Sequence, residues 1–204
     1  MSVSIPIGIV VEDSLSDEVV RVLLERSGRP YCIGTTYGLS GYGYIRSRVS
    51  GFNNAAKGMP YFVLTDLDFH ECASKLMNDW LPKGCHGNLL FRIAVREVEA
   101  WLLGDHVSLA EFLGIRQELI PNEVDVVPDP KRTLVALASK SRYRSLRSGI
   151  VPKAGSTSKQ GPDYNGSLIR FVRNIWRPEE AMLRSPSLAK TIGAISKFAP
   201  RYSP

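Results

Sequence analysis

Tyr61-Phe62-Val63-Leu64-Thr65-Asp66-Leu67-Asp68 decides how the fold is read. Its first five residues are aromatic, aliphatic or β-branched without a break. An apolar run that does not alternate belongs to a strand covered on both faces. The run ends at two carboxylates, and an extended backbone turns Asp66 and Asp68 to one side and Leu67 to the other. Working outward, residues 5–11 have the same character and stop at an acid, Glu12. Residues 31–36 and 89–95 read as two further strands. Between the strands lie helical stretches. One begins with Ser14 or Ser16 as its cap, buries Val19, Val20, Val22, Leu23 and Leu24, and is stopped by Gly28 and Pro30. Another runs to about Lys57, and a third covers residues 72–80, closed by Pro82 and Gly84. Residues 97–103 and 108–113 are helical as well. Strands that alternate with helices predict an α/β fold, a mostly parallel sheet with helices on both faces.

Beyond residue 120 no strong strand is visible. Helices are expected over 131–140, 166–176 and 187–198, with 152–166 the most loop-like stretch of the chain. The division expected is an α/β core over residues 1–125 and a basic helical extension over 126–204. Gly38-x-x-Gly41-x-Gly43 lacks the strand-to-helix context of a dinucleotide site, so residues 38–44 are expected to form a flexible aromatic loop. Trp80, Trp101 and Trp176 are expected in the core.

The charge distribution supports the same division. The 204 residues carry 26 Lys+Arg and 20 Asp+Glu, a net charge of +6. Residues 1–130 hold 11 basic and 17 acidic side chains, whereas residues 131–204 hold 15 and 3. An acidic front collects cations and a basic back collects polyanions. Three cysteines of unrelated spacing exclude a disulfide framework and point to a reducing cytoplasm. No apolar run reaches bilayer-spanning length, and the first residues lack a secretory pattern, so no membrane association is expected.

Acids stand where three strands run out: Glu12, the pair Asp66 and Asp68, and the pair Glu97 and Glu99. In a parallel sheet those strand ends share one edge, where ligands bind. Clustered carboxylates resist ionisation together, and a divalent cation removes the conflict. All-oxygen donors suit Mg²⁺ or Mn²⁺. The plainer alternative at each position is a helix cap or a solvated acid. If residue 97 begins a helix, Glu97 and Glu99 point to different faces and only one of them binds metal.

In this order the acids resemble the Toprim domain, found in topoisomerases, bacterial primases and the OLD (overcoming lysogenization defect) nucleases. Val11-Glu12-Asp13-Ser14-Leu15-Ser16-Asp17 is similar to its first motif, and Leu64-Thr65-Asp66-Leu67-Asp68 to its second. Val95-Arg96-Glu97-Val98-Glu99-Ala100-Trp101-Leu102-Leu103-Gly104-Asp105 resembles a stretch of small stand-alone Toprim-like proteins. The chain departs from the pattern in three places. Asp13 replaces the usual glycine, Asp17 lies slightly far from Glu12, and Arg96 stands where His is common.

The resemblance implies a Rossmannoid core and hydrolysis of phosphodiester bonds in DNA or RNA. Two divalent ions about 4 Å apart can clamp the attacking and leaving oxygens of a phosphoryl group. Glu12, Asp66, Asp68 and Glu97 are the expected catalytic ligands, with Asp17 and Glu99 as further metal ligands. A fixed cation is also expected near the phosphate, and Lys159 is the catalytic candidate among the basic residues. Lys131, Arg132, Arg142, Arg144, Arg147, Lys153 and Lys159 form the expected nucleic-acid surface, with Tyr143 available for stacking. The resemblance further implies a partner ATPase of the ABC or SMC-like type and a role as effector in anti-phage defence. A homodimer is compatible with it. The other reading is a non-catalytic Toprim-like module that binds nucleic acid or a partner protein.

Overall fold

The computed structural model describes residues 4–201. The chain divides into two compact units, Met1–Ala94 with Lys190–Pro204, and Val95–Ala189. The division by charge at residue 130 falls inside the second unit.

The first unit is α/β. Strand β1 (Ile5–Val11) leads into helix α1 (Ser14–Glu25), β2 (Tyr31–Gly38) into α2 (Tyr42–Ala55), and β3 (Tyr61–Asp66) into α3 (Ala73–Trp80) before β4 (Leu89–Ala94). The sheet has the order β2-β1-β3-β4, and every pairing is parallel. Parallel neighbours need a long crossover, which explains a helix in each connection. The two central strands are the most apolar segments and are buried almost throughout, whereas β2 lies on an edge and is half-exposed. Because β1 is followed by β2 on one side and β3 on the other, the chain changes direction across the sheet between β1 and β3. That is the position at which open parallel sheets form a crevice beyond the carboxyl ends of their strands.

Local caps set the edges of these elements. The side chain of Asp13, not a serine, caps α1, accepting from the Ser16 N–H at 2.8 Å. A carboxylate at this position meets both the unpaired N–H groups and the positive end of the helix. Residues 38–44 are more ordered than their composition implies: Gly38 ends β2 and Tyr42 already begins α2. Gly38 has φ +103°, and a Cβ there would sit 2.1 Å from the Val11 carbonyl oxygen. The next turn is tied to β1, with Leu39 N–H donating to Val11 O at 3.1 Å and Gly41 N–H to Glu12 O at 3.0 Å.

The second unit is helical, and among its described residues there is no strand. It comprises α4 (Val98–Gly104), α5 (His106–Leu113), two short 3₁₀ turns, α6 (Pro130–Ser139), α7 (Arg144–Ile150), α8 (Tyr164–Asn174) and α9 (Pro178–Ala181). Helix α10 (Pro186–Lys197) begins in this unit and ends in the first. Trp101, Trp176 and Phe171 are fully buried, and the Trp101 indole N–H donates to Ser187 Oγ at 2.7 Å. Trp80 differs: it is half-buried in the first unit, edge-on to Tyr42 and stacked on Phe91. Among the described residues no helix is long and apolar enough to cross a membrane.

Candidate metal centre and basic surfaces

The register of β1 against β3 builds the acidic edge. Val10 lies opposite Val63, so Glu12, two residues on, arrives beside Thr65 and Asp66. The Thr65 hydroxyl donates to Glu12 Oε1 at 2.5 Å, and the Asp66 backbone N–H donates to the same oxygen at 3.0 Å. Oε2 of Glu12 accepts no hydrogen bond among the described residues. Burial pushes the Glu12 carboxyl above its ordinary range. The two hydrogen bonds pull it back, and the charges of Asp68 and Asp13 push it up again. Asp66 and Asp68 are themselves half-buried, and Asp68 takes a left-handed backbone with φ +48°. A short polar side chain tolerates that conformation best among residues other than glycine.

Three acids of the first unit thus share one sheet edge, and two of them, Glu12 and Asp68, repel each other. Among the described residues no three His, Cys, Asp or Glu side chains form a complete metal-binding cluster. The donor chemistry nevertheless fits Mg²⁺ or Mn²⁺, since every group is a carboxylate and one oxygen of Glu12 is unused. Asp17 is committed elsewhere. It pairs with Arg21 at 2.9 Å and accepts from the Thr36 hydroxyl at 3.0 Å, holding α1 to β2.

Glu97 and Glu99 belong to the second unit. A helix beginning at residue 97 would send the two to different faces; instead both meet Lys131. Its ammonium lies 3.6 Å from Glu99 and 4.0 Å from Glu97. The reason is that Glu97 is the cap of α4, with extended φ −136° and ψ 160°, and only Glu99 is inside the helix. The Lys131 backbone N–H also donates to Glu97 Oε2 at 2.9 Å, so this carboxylate supports the N-terminus of α6. Glu99 is only 2% exposed and accepts from the Tyr164 hydroxyl at 3.0 Å.

The expected nucleic-acid residues are mostly exposed. Arg132, Arg142, Arg144, Lys153 and Lys159 all reach solvent, and Lys159 lies in the link between α7 and α8. Lys131 is half-buried in its ion pairs. Arg147 is turned inward, donating to the Ser141 carbonyl oxygen. Arg142 lies over the Tyr143 ring at 4.9 Å and donates to its hydroxyl at 2.7 Å. Sequence reasoning gave no role to Thr65 or Tyr164, whose hydroxyls donate to Glu12 and Glu99. Thr65 did carry a signal, as the one hydroxyl in an apolar run directly before an acid. Tyr164 had no local signal pointing to Glu99, its partner 65 residues away.

Comparison with protein-family models, curated proteins and solved structures returned no match to this chain.

Proposed function

We propose that the chain is a Toprim-like phosphodiester hydrolase dependent on Mg²⁺ or Mn²⁺, acting on DNA or RNA. The observation that carries this reading is the half-buried Glu12 carboxylate beside the Asp66-x-Asp68 turn, at the β1/β3 switch of a parallel sheet. Burial first, and then the charge of Asp68, raises the half-buried Glu12 carboxyl above its ordinary range at this ligand-binding edge, a setting in which a divalent cation is stabilising. Glu12, Asp66 and Asp68 would hold the metal, which would supply charge neutralisation on a phosphoryl oxygen. Thr65 orients Glu12 through its hydroxyl hydrogen bond. The basic residues 131–204 would follow the phosphate backbone. A partner ATPase and a role in anti-phage defence rest on the sequence resemblance alone.

One observation favours the non-catalytic module. The Lys131 ammonium already neutralises Glu97 and Glu99, two of the expected ligands. The test is cleavage of plasmid DNA, single-stranded DNA and tRNA in Mg²⁺ or Mn²⁺, with and without a candidate ATPase. Glu12→Gln and Asp66→Asn should each reduce cleavage about a hundredfold or more. Cleavage unchanged in both variants overturns the metal-site assignment. Absence of cleavage under every condition leaves the binding module as the function.

A further inference from the structure

A second site stands on observations independent of the carboxylate edge. In the helical unit, α5 ends at Gly114, which has φ 61° and ψ 46°, and the chain turns back to open a cleft of about 600 Å³. That size is within the range of small-molecule sites. Arg116, Lys140 and Arg142 line it, opposed by a single carboxylate, Glu111. Aliphatic groups of Val107, Ile115 and Leu119 form one wall, and Gln117 is a further polar lining residue.

Cations near helix C-termini are often explained by the negative ends of the helices. Here the backbone already caps those ends. Gly114 N–H donates to Glu111 O at 3.1 Å and Ile115 N–H to Ala110 O at 3.0 Å. Lys140 and Ser141 N–H donate to Leu137 O and Ala138 O, each at 3.0 Å. No carboxylate pairs with Arg116, Lys140 or Arg142 among the described residues. Arg142 is also fixed in place. It stacks on Tyr143, and both side chains pack so closely on Gly114 that a Cβ there would lie 2.5 Å from Arg142 Cγ and 2.7 Å from the Tyr143 ring. The cleft thus presents three cations with which no carboxylate pairs among the described residues, one of them stacked on an aromatic ring, beside an aliphatic wall.

We propose that this cleft binds a nucleotide. The phosphate is held by Arg116, Lys140 and Arg142, the base lies on the aliphatic wall, and Glu111 accepts from a base amino or ribose hydroxyl group. An arginine with a planar fork of donors recognises phosphate in a bidentate manner, and apolar side chains cover the face of a base. The nucleotide can come from solution or from the end of a nucleic-acid strand.

The test is calorimetric titration of the full chain with ATP, AMP, inorganic phosphate and a 5′-phosphorylated oligothymidylate. Saturable binding of ATP or AMP, tighter than inorganic phosphate, identifies a free nucleotide. Saturable binding of the oligonucleotide alone identifies a strand terminus. In either case Arg116→Ala with Lys140→Ala should weaken binding at least about tenfold with an unchanged melting temperature. Glu12→Gln should leave binding intact, which separates this site from the hydrolase reading. No saturation by any probe, binding no tighter than phosphate, or equal binding by the double variant overturns the proposal.

Discussion

Thr65 donates its hydroxyl to Glu12 Oε1 across 2.5 Å, joining the ends of the two central strands through one short bond. Thr65 is buried, at 1% exposure, and has no access to water as a substitute partner. Thr65→Val keeps the shape and removes the donor, leaving Glu12 with only the Asp66 N–H on that oxygen. A charge-assisted hydrogen bond of this kind contributes about 1.5–3 kcal/mol, and partial solvation of Glu12 lowers the expected loss to about 1–2 kcal/mol. Urea denaturation checks this, with Thr65→Ser expected to recover most of the stability. Equal stability of Thr65→Val and the parent would show that the bond does no more than replace one to water.

Glu12 also makes stability depend on pH. Burial raises its carboxyl above the ordinary 4.5. The folded state therefore holds the proton more tightly than the unfolded state, and folding is favoured most while Glu12 is protonated in both. That contribution is fully present below about pH 4.5 and is lost as pH rises through the folded value. Glu12→Gln removes the titration, so the melting temperature of the variant should gain on the parent as pH rises above 4.5. Added Mg²⁺ should stabilise the parent at neutral pH and not the variant, by mass action on the folded form. A difference between the two proteins that is flat with pH would show that Glu12 titrates normally.

The glycine that closes β2 supports the same edge. Gly38→Ala would place a Cβ 2.1 Å from the Val11 carbonyl oxygen in a backbone of φ +103°. The clash and the strained conformation together should cost about 2–4 kcal/mol. Gly51, in the middle of α2 with open space where its Cβ would stand, is the control. Gly51→Ala should stabilise the protein by about 0.5–1 kcal/mol through helix propensity. Thermal unfolding of both variants decides whether local geometry or propensity governs, and a neutral Gly38→Ala would mean that β2 shifts to make room.

The sheet was legible because its central strands are unbroken apolar runs, a signal that needs no partner to interpret. The acids at their ends were legible too, since an acid directly after a buried strand is a local pattern. What could not be read was commitment. Nothing near Asp17 in sequence announces Thr36, and nothing near Glu99 announces Lys131 or Tyr164. Helix α7 was missed because its seven residues span barely two turns, too short for periodicity to show. The cleft at Gly114 draws Arg116 from one turn and Lys140 and Arg142 from the end of another helix, so only folding brings those charges together.

Lys131 separates a structural ion pair from a ligand for phosphate. Its ammonium faces Glu99, whose side chain is 3% exposed, and Glu97, while its own side chain is 32% exposed. Removing one partner of a buried pair strands the other charge, a loss of about 3–5 kcal/mol where both are buried. Partial exposure of Lys131 reduces the expected effect of Lys131→Met to about 2–3 kcal/mol. The double variant Lys131→Met with Glu99→Gln removes the stranded charge while the amide keeps an acceptor for Tyr164, and should recover at least half of the loss. A double-mutant cycle by chemical denaturation measures the coupling. If Lys131→Met instead leaves stability unchanged and weakens binding to DNA alone, the ammonium serves the polyanion rather than the acids beside it.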